Sequence, residues 1–248
     1  AEPIFVTGFM GTACQGSGST ITLEHAMCER GLSREAHSCH GGSMQVYDST
    51  FDFLRPYGVF PDASLMVRNT FIGSNTKPTS SHAELRAGTL YIYGEDMWIA
   101  NNLFINYTSP VVAFLGLGTA PTNVTFRGNT FANPGVPTIV QLDGPVGGTP
   151  EIDGNYWGTT NTTLIDAMIH DLNDDLGARG TLLYAPVLIS AATETPEPEY
   201  WPEVPTELPP AADLVFFEDT TLSGELTIVG AWQVASGVTL TIAAGSTL

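Results

Sequence analysis

Lysine is almost missing from this chain. Lys77 is the only one, and lysine plus arginine number 8 against 26 acidic residues, giving a formal net charge of −18 over 248 residues. A surface of that sign repels nucleic acid and anionic membranes, which argues against both as partners. It also disfavours polyanionic sugars unless Ca²⁺ bridges the two. Long apolar runs are missing too: no stretch reaches the roughly 18 residues of a membrane-spanning helix, so no span is encoded. Charged residues are only 14%, while Gly numbers 26 and Pro 17. That is a turn-rich β composition, unlike a helical bundle or a disordered chain. The length suffices for a full core and one or two domains. No signal-peptide pattern is present, and the opening Ala1-Glu2-Pro3 suits a mature end left by signal peptidase.

Cysteine is scarce, and its three members, Cys14, Cys28 and Cys39, fall within residues 1–42 beside His25, His37 and His40. The spacing matches no zinc finger or ribbon, and the C-x-x-C-H haem signature is absent. Three readings stay open: one disulfide with one thiol left over, a metal held by thiolates and imidazoles, or three free thiols. The spacing does not say which cysteines pair. Apart from that metal, or a Ca²⁺ ion, no cofactor is expected.

What the chain does contain is a recurring short pattern. Asn69, Asn102, Asn129 and Asn155 each have a ring two residues later, in Phe71, Phe104, Phe131 and Trp157. Each has an apolar residue three before, in Met66, Ile99, Phe126 and Ile152. A weaker copy sets Ser49 in the Asn place, with Val46 before it and Phe51 after. The steps are 20 residues from Ser49 to Asn69, 33 to Asn102, 27 to Asn129 and 26 to Asn155. A fixed core with variable spacing predicts a solenoid whose turns carry loops of different size. The fold expected is all-β, a right-handed parallel β-helix in which equivalent side chains stack in columns. Asn suits the bend between strands because it tolerates left-handed backbone angles. Its amide can also satisfy buried backbone groups or the next Asn. The rings should form an interior aromatic column.

Taken in order, residues 1–42 read as an N-terminal cap and Cys/His-rich segment. Ile4–Thr7 and Thr20–Leu23 are β-like runs there, and 24–42 lie outside the repeat. Residues 43–189 hold the β-helix, interrupted by insertions at 74–87 and 109–122. Within TTNTTLIDAMIHDLNDDLG, Leu164, Ile165, Met168, Ile169 and Leu172 share one helical face. Thr163 with Asp166 resembles a capping box and Gly177 a stop, so one C-terminal amphipathic helix is expected. TLLYAPVL would be a closing strand. Residues 190–212 read as an extended Pro/Glu linker. Residues 213–248 are strand-rich again but too few to bury a core alone. They are the start of a second β module or a tail that pairs with another molecule.

The closing motif is the most distinctive stretch. NYWG, then I-x-x-x-I-x-D, then G-x-L-x-Y-x-P-x-L resembles the C-terminal closure of secreted bacterial right-handed parallel β-helix repeat proteins of the pectate-lyase-like superfamily. The resemblance covers roughly 43–188. It implies the fold and an extracellular setting, and admits polysaccharide lyases, glycoside hydrolases, epimerases and surface proteins of unknown role alike.

A glycosidase on such a fold needs two carboxylates about 5–10 Å apart. Asp48, Asp52, Asp62, Asp143 and Asp153 are the acidic candidates, but their offsets from the key Asn positions do not share a column. A lyase needs a base and Ca²⁺ ligands. Arg68 and Arg127 sit at different offsets and read as solvated surface residues. Asp171, Asp174 and Asp175 read as the wet face of the helix sooner than as a Ca²⁺ site. Asn106, Asn123 and Asn161 lie in N-x-Thr sequons. The expected function is a non-enzymatic extracellular β-solenoid, structural or adhesive, that self-associates through 213–248 into filaments. A glycan or cell-surface partner is also expected. A carbohydrate-active enzyme, lyase or hydrolase, is the alternative.

Overall fold

A computed structural model describes residues 4–6, 12–15, 20–28, 35–40, 43–52, 55–59, 64–73, 90–92, 96–107, 112–115, 123–134, 136, 139–143, 150–178, 180–205, 214–225 and 231–247. The insertion at 74–87, most of that at 109–122, and Asp62 lie outside these residues. The strands are β1 (Ile4–Val6), β2 (Thr12–Gln15), β3 (Thr20–Glu24), β4 (Ala26–Cys28), β5 (Glu35–His40), β6 (Ser43–Tyr47), β7 (Thr50–Asp52), β8 (Arg55–Val59) and β9 (Ser64–Val67). They continue as β10 (Thr70–Ile72), β11 (Leu90–Ile92), β12 (Met97–Ala100), β13 (Leu103–Ile105), β14 (Val112–Leu115), β15 (Thr125–Arg127), β16 (Thr130–Ala132) and β17 (Val140–Asp143). One short helix, α1 (Thr162–Ala167), precedes β18 (Ile169–His170). The tail adds β19 (Leu214–Phe216), β20 (Thr220–Leu222), β21 (Trp232–Val234) and β22 (Leu240–Ile242).

The protein is mostly β, with parallel sheets and almost no helix. One sheet has the order β1-β4-β7-β10-β13-β16 and a second β15-β12-β9-β6-β3; β2-β5-β8 and β11-β14-β17-β18 make two more. The chain thus visits the sheets in turn and adds one strand to each per repeat. We call one such set of strands a level. Its pairing partner is always a full repeat away in sequence, so the sheets are built from non-local contacts.

The apolar residues three before the key Asn are brought into one inward-facing column, where Val46, Met66, Ile99 and Phe126 are register partners and all are buried. The rings two after it form another. Phe51, Phe71, Phe104, Phe131 and Trp157 are all fully buried, with successive centroids 5.2, 5.0, 5.2 and 4.6 Å apart. Stacking at this distance contributes about 0.5–1.5 kcal/mol per pair beyond burial.

Three segments bear on the expectations. Within residues 1–42, β4 pairs with β7 and β3 with β6, in the same sheets as the later levels. The sequence hides this because His25 and Ala26 stand where later repeats carry the bend residue and Asn. Even so, Ala26 N–H donates to Ser49 Oγ at 3.0 Å. The expected C-terminal amphipathic helix is cut short. α1 spans 6 residues, its N-cap is Asn161 rather than Thr163, and Ile169 pairs with Val140 as a strand. β-sheet pairing and burial of Ile169 override the helical spacing. Finally, residues 190–205 do not stand off as a spacer along their whole length. Thr195 Oγ1 donates to Gly128 O at 2.8 Å, Asn101 Nδ2 donates to a Glu194 carboxylate oxygen at 3.2 Å, and Trp201 packs edge-on against Tyr156. Tyr200 also hydrogen-bonds Asn106. A second small apolar cluster of Leu103, Ile105 and Ala132, with Ile72 packed against it, lies outside the main core yet is buried. Helical spacing and linker composition are local signals, and both lose here to contacts made across levels.

Closure of the last level is made by backbone. Ile152 N–H donates to Leu183 O and Gly154 N–H to Pro186 O, while Leu188 N–H donates to Asn155 O.

Candidate functional site

The key Asn residues form one hydrogen-bonded ladder inside the bend. The Oδ1 of Asn69 accepts Ser49 N–H, that of Asn102 accepts Asn69 N–H, that of Asn129 accepts Asn102 N–H, and that of Asn155 accepts Asn129 N–H, all at 2.8–3.0 Å. Each Nδ2 donates back to a strand carbonyl, Val46 from Asn69, Met66 from Asn102, Ile99 from Asn129 and Phe126 from Asn155. The four are fully buried, so the amides replace water that the bend cannot reach.

The left-handed backbone does not fall on these Asn residues. It falls one position earlier, on Asp48, Arg68, Asn101, Gly128 and Gly154, with φ from 47° to 67°. The Asn is selected for its amide, and the bend is made by its neighbour. At Gly128 a Cβ would come within 2.1 Å of Asn101 Oδ1, at φ +67°. Gly128→Ala is therefore expected to lower stability by more than the ~1–2 kcal/mol of a left-handed Ala alone. A urea melt gives the number.

On the outer side, Arg68 and Arg127 are ion-paired between levels. Arg68 makes two bonds to the Asp48 carboxylate at 2.7 and 2.9 Å, and Arg127 makes two to Asp153 at 3.2 and 2.6 Å. Each pair occupies one column, offset one before the key residue for Asp48 and Arg68 and two before it for Arg127 and Asp153. The hydrogen bond from Arg68, against a smaller opposing effect of burial, holds the Asp48 carboxyl below its usual value. Both arginines stay at the surface, Arg127 with 60% of its side chain exposed, but each is held by a carboxylate and neither is a free base. The side chains of Asp52 and Asp143 lie outside what is described.

The acidic run after β18 is not a helix face. Asp171 is buried, and its carboxylate accepts Asn173 N–H and Leu182 N–H, both at 2.8 Å. Asp174 accepts Asp171 N–H, and Asp175 accepts Gly177 N–H. These carboxylates tie a loop together. Burial raises the Asp166 and Asp174 carboxyls above their ordinary value; the charge of Asp171 adds to the rise at Asp166, while the Asp171 N–H bond opposes it at Asp174. For both, the folded state binds protons more readily than the unfolded chain. Ionisation therefore costs stability at neutral pH, and the cost is relieved as pH falls through the raised value toward 3.8. Asp174→Asn keeps the acceptor and removes the charge. It is expected to raise the melting temperature at pH 7, with the difference vanishing below about pH 4; melts across pH test it.

The backbone sets Cys14 opposite Cys39 in the β2–β5 pair and Cys28 opposite Phe51 in β4–β7. Among the described residues no group of three or more His, Cys, Asp or Glu is placed to hold a metal, and no helix is long and apolar enough to cross a membrane. On the outer face of the β12-containing sheet, Trp98 is exposed, which the sequence pattern did not single out. Its position between inward Met97 and Ile99 was the available signal.

Compared with known proteins, the chain matches no family, no curated protein and no solved structure.

Proposed function

We propose that the chain is a non-enzymatic extracellular protein, a right-handed parallel β-helix of the pectate-lyase-like kind with a structural or adhesive role. One observation carries this reading. The outward ionisable groups of the bend and of the acidic loop are paired between levels or bonded to backbone, whereas acid–base chemistry needs carboxylates held ready in a groove. Self-association through 213–248 is the second part. The tail forms two parallel pairs, β19 with β21 and β20 with β22, and none of its described residues is buried. Phe217, Val234 and Ile242 are exposed, and Phe216 meets the edge of Trp232 at 5.6 Å. Strand addition from a neighbouring copy would cover such a unit.

Sedimentation of the chain with and without 213–248 tests the assembly. Polymers that revert to monomers on deletion are expected, and monomers in both samples refute it. An extracellular setting also predicts one disulfide. Partnered positions on adjacent strands lie about 4.8 Å apart, inside the Cα range of a disulfide. Peptide mapping without reductant should join Cys14 to Cys39 and leave Cys28 open to alkylation.

The alternative, a carbohydrate-active enzyme, has His170 on its side. It pairs with Gln141 at the edge of the β17–β18 ladder, within electrostatic reach of Asp174 and Asp175. Cleavage of a polysaccharide that is lost in His170→Ala would replace the non-enzymatic reading.

A further inference from the structure

The sequons at Asn106, Asn123 and Asn161 do not stand alike in the fold. Sugar transfer to a sequon needs the Asn amide nitrogen and the Thr hydroxyl offered together on an accessible loop. At Asn106 the middle residue, Tyr107, is only 3% exposed, and its N–H donates to Asn133 Oδ1 at 2.8 Å. Asn106 itself is half-buried, and Tyr200, from the strap of residues 190–205, donates to its Oδ1. At Asn123 the amide nitrogen donates to the Asp96 carboxylate, and Thr125 is fixed in β15 opposite Trp98. Both stretches are tied into the levels. Asn161-Thr162-Thr163 is the exception. All three residues are exposed, where the chain leaves the last level ahead of α1. Asn161 Oδ1 accepts Thr163 N–H at 3.1 Å, which holds the amide in place. Its Nδ2 bonds no described residue, and neither does the Thr163 hydroxyl.

We propose that Asn161 is a site of N-glycosylation. The proposal rests on the extracellular reading, because the modification belongs to surface loops of exported chains. The donor is an oligosaccharide carried on a lipid phosphate. In the transfer, Nδ2 of Asn161 bonds to C1 of the first sugar and gives up one proton. The bond from C1 to the phosphate oxygen breaks, and the phosphate leaves with the electron pair. Nothing is oxidised or reduced. The product is still an amide with its oxygen free to accept, so the bond from Thr163 N–H survives and the start of α1 is undisturbed. At Asn106 the same reaction would have to lift Tyr200 away and expose the buried Tyr107, and at Asn123 it would disturb the bond to Asp96. The fold thus selects one of its three sequons, and the sugar adds a bulky, solubilising group beside the last level. The site lies apart from residues 213–248 and does not depend on the assembly reading.

The test takes the protein from its native cells, with external and cell fractions kept apart. Peptides are mapped by mass spectrometry before and after an amidase that removes N-glycans and leaves Asp where each stood. Asn161 is expected to carry sugar in most external molecules, at about tenfold or more the occupancy of Asn106 or Asn123. Asn161→Asp keeps a good N-cap and Thr163→Val keeps the side-chain shape without its hydroxyl. Both should lose the sugar and still melt close to the parent, whereas Thr163→Ser should retain it. Bare Asn161 in the external protein overturns the proposal. So does comparable occupancy of the three sequons, or sugar that persists in Thr163→Val. A chain found only inside the cell overturns the extracellular reading itself, and this proposal with it. The two failures are told apart by the fraction that holds the protein.

Discussion

Asn102→Ala is expected to remove a large share of the total stability. The side chain accepts Asn69 N–H at 2.9 Å and Asn69 Nδ2 at 3.0 Å, and donates to Met66 O at 2.9 Å and Asn129 Oδ1 at 3.0 Å. Truncation leaves Asn69 N–H and Met66 O buried without these partners. At about 1–3 kcal/mol for each unsatisfied buried group, the loss is roughly 2–6 kcal/mol, against a typical 5–15 kcal/mol for a whole domain. Asn102→Asp should do no better, because a carboxylate cannot donate to Met66 O or Asn129 Oδ1 and its charge would be buried. Urea unfolding followed by circular dichroism is the measurement. A loss below about 1 kcal/mol would show that the bend needs no ladder.

Phe104→Ala carries the other large effect. Its ring is fully buried between Phe71 at 5.0 Å and Phe131 at 5.2 Å, with Phe126 at 6.5 Å beside it. Truncation should cost about 3–5 kcal/mol for burial and cavity, and the lost stacks add to that. Phe104→Leu nearly conserves volume and should cost under about 1.5 kcal/mol before the lost stacking. Thermal melts of the two variants separate cavity from stacking. Equal losses would mean that ring stacking supplies the whole effect. Because Phe104 lies two residues from Asn102, the double variant should not be additive.

The sequence made the inward half of the architecture readable. Val46, Phe51 and their counterparts recur at fixed offsets from Ser49 and the Asn residues because each must land in a column of identical environment. The bend was misread because both residues of the pair are polar in part of the chain. Asn101-Asn102 looks like one signal, yet the first residue bends and the second bonds. The strap and the acidic loop were illegible for another reason. Thr195 and Asp171 are held by partners far away or by backbone, and neither leaves a pattern in composition. Trp98 lies between the inward positions Met97 and Ile99, so alternation alone assigns it outward.

The unequal steps between levels bear on how this chain can go wrong while folding. From Asn69 to Asn155 each level offers the next the same amide, ring and apolar residue, so a chain that omits one level finds matching chemistry beyond it. Setting β7 directly against β13 would still place Phe51 over Phe104. A one-residue slip gains nothing of the kind, since it turns the inward side chains outward. Frame errors in this protein should therefore come in whole levels. Loop closure resists them little, because its cost rises slowly with length. The opposing force is the burial lost by the expelled level, such as Met66, Asn69 and Phe71. The 20-residue step from Ser49 to Asn69 is the shortest between ladder residues from Ser49 to Asn155, so the levels that flank it are the first place to look for a skipped turn.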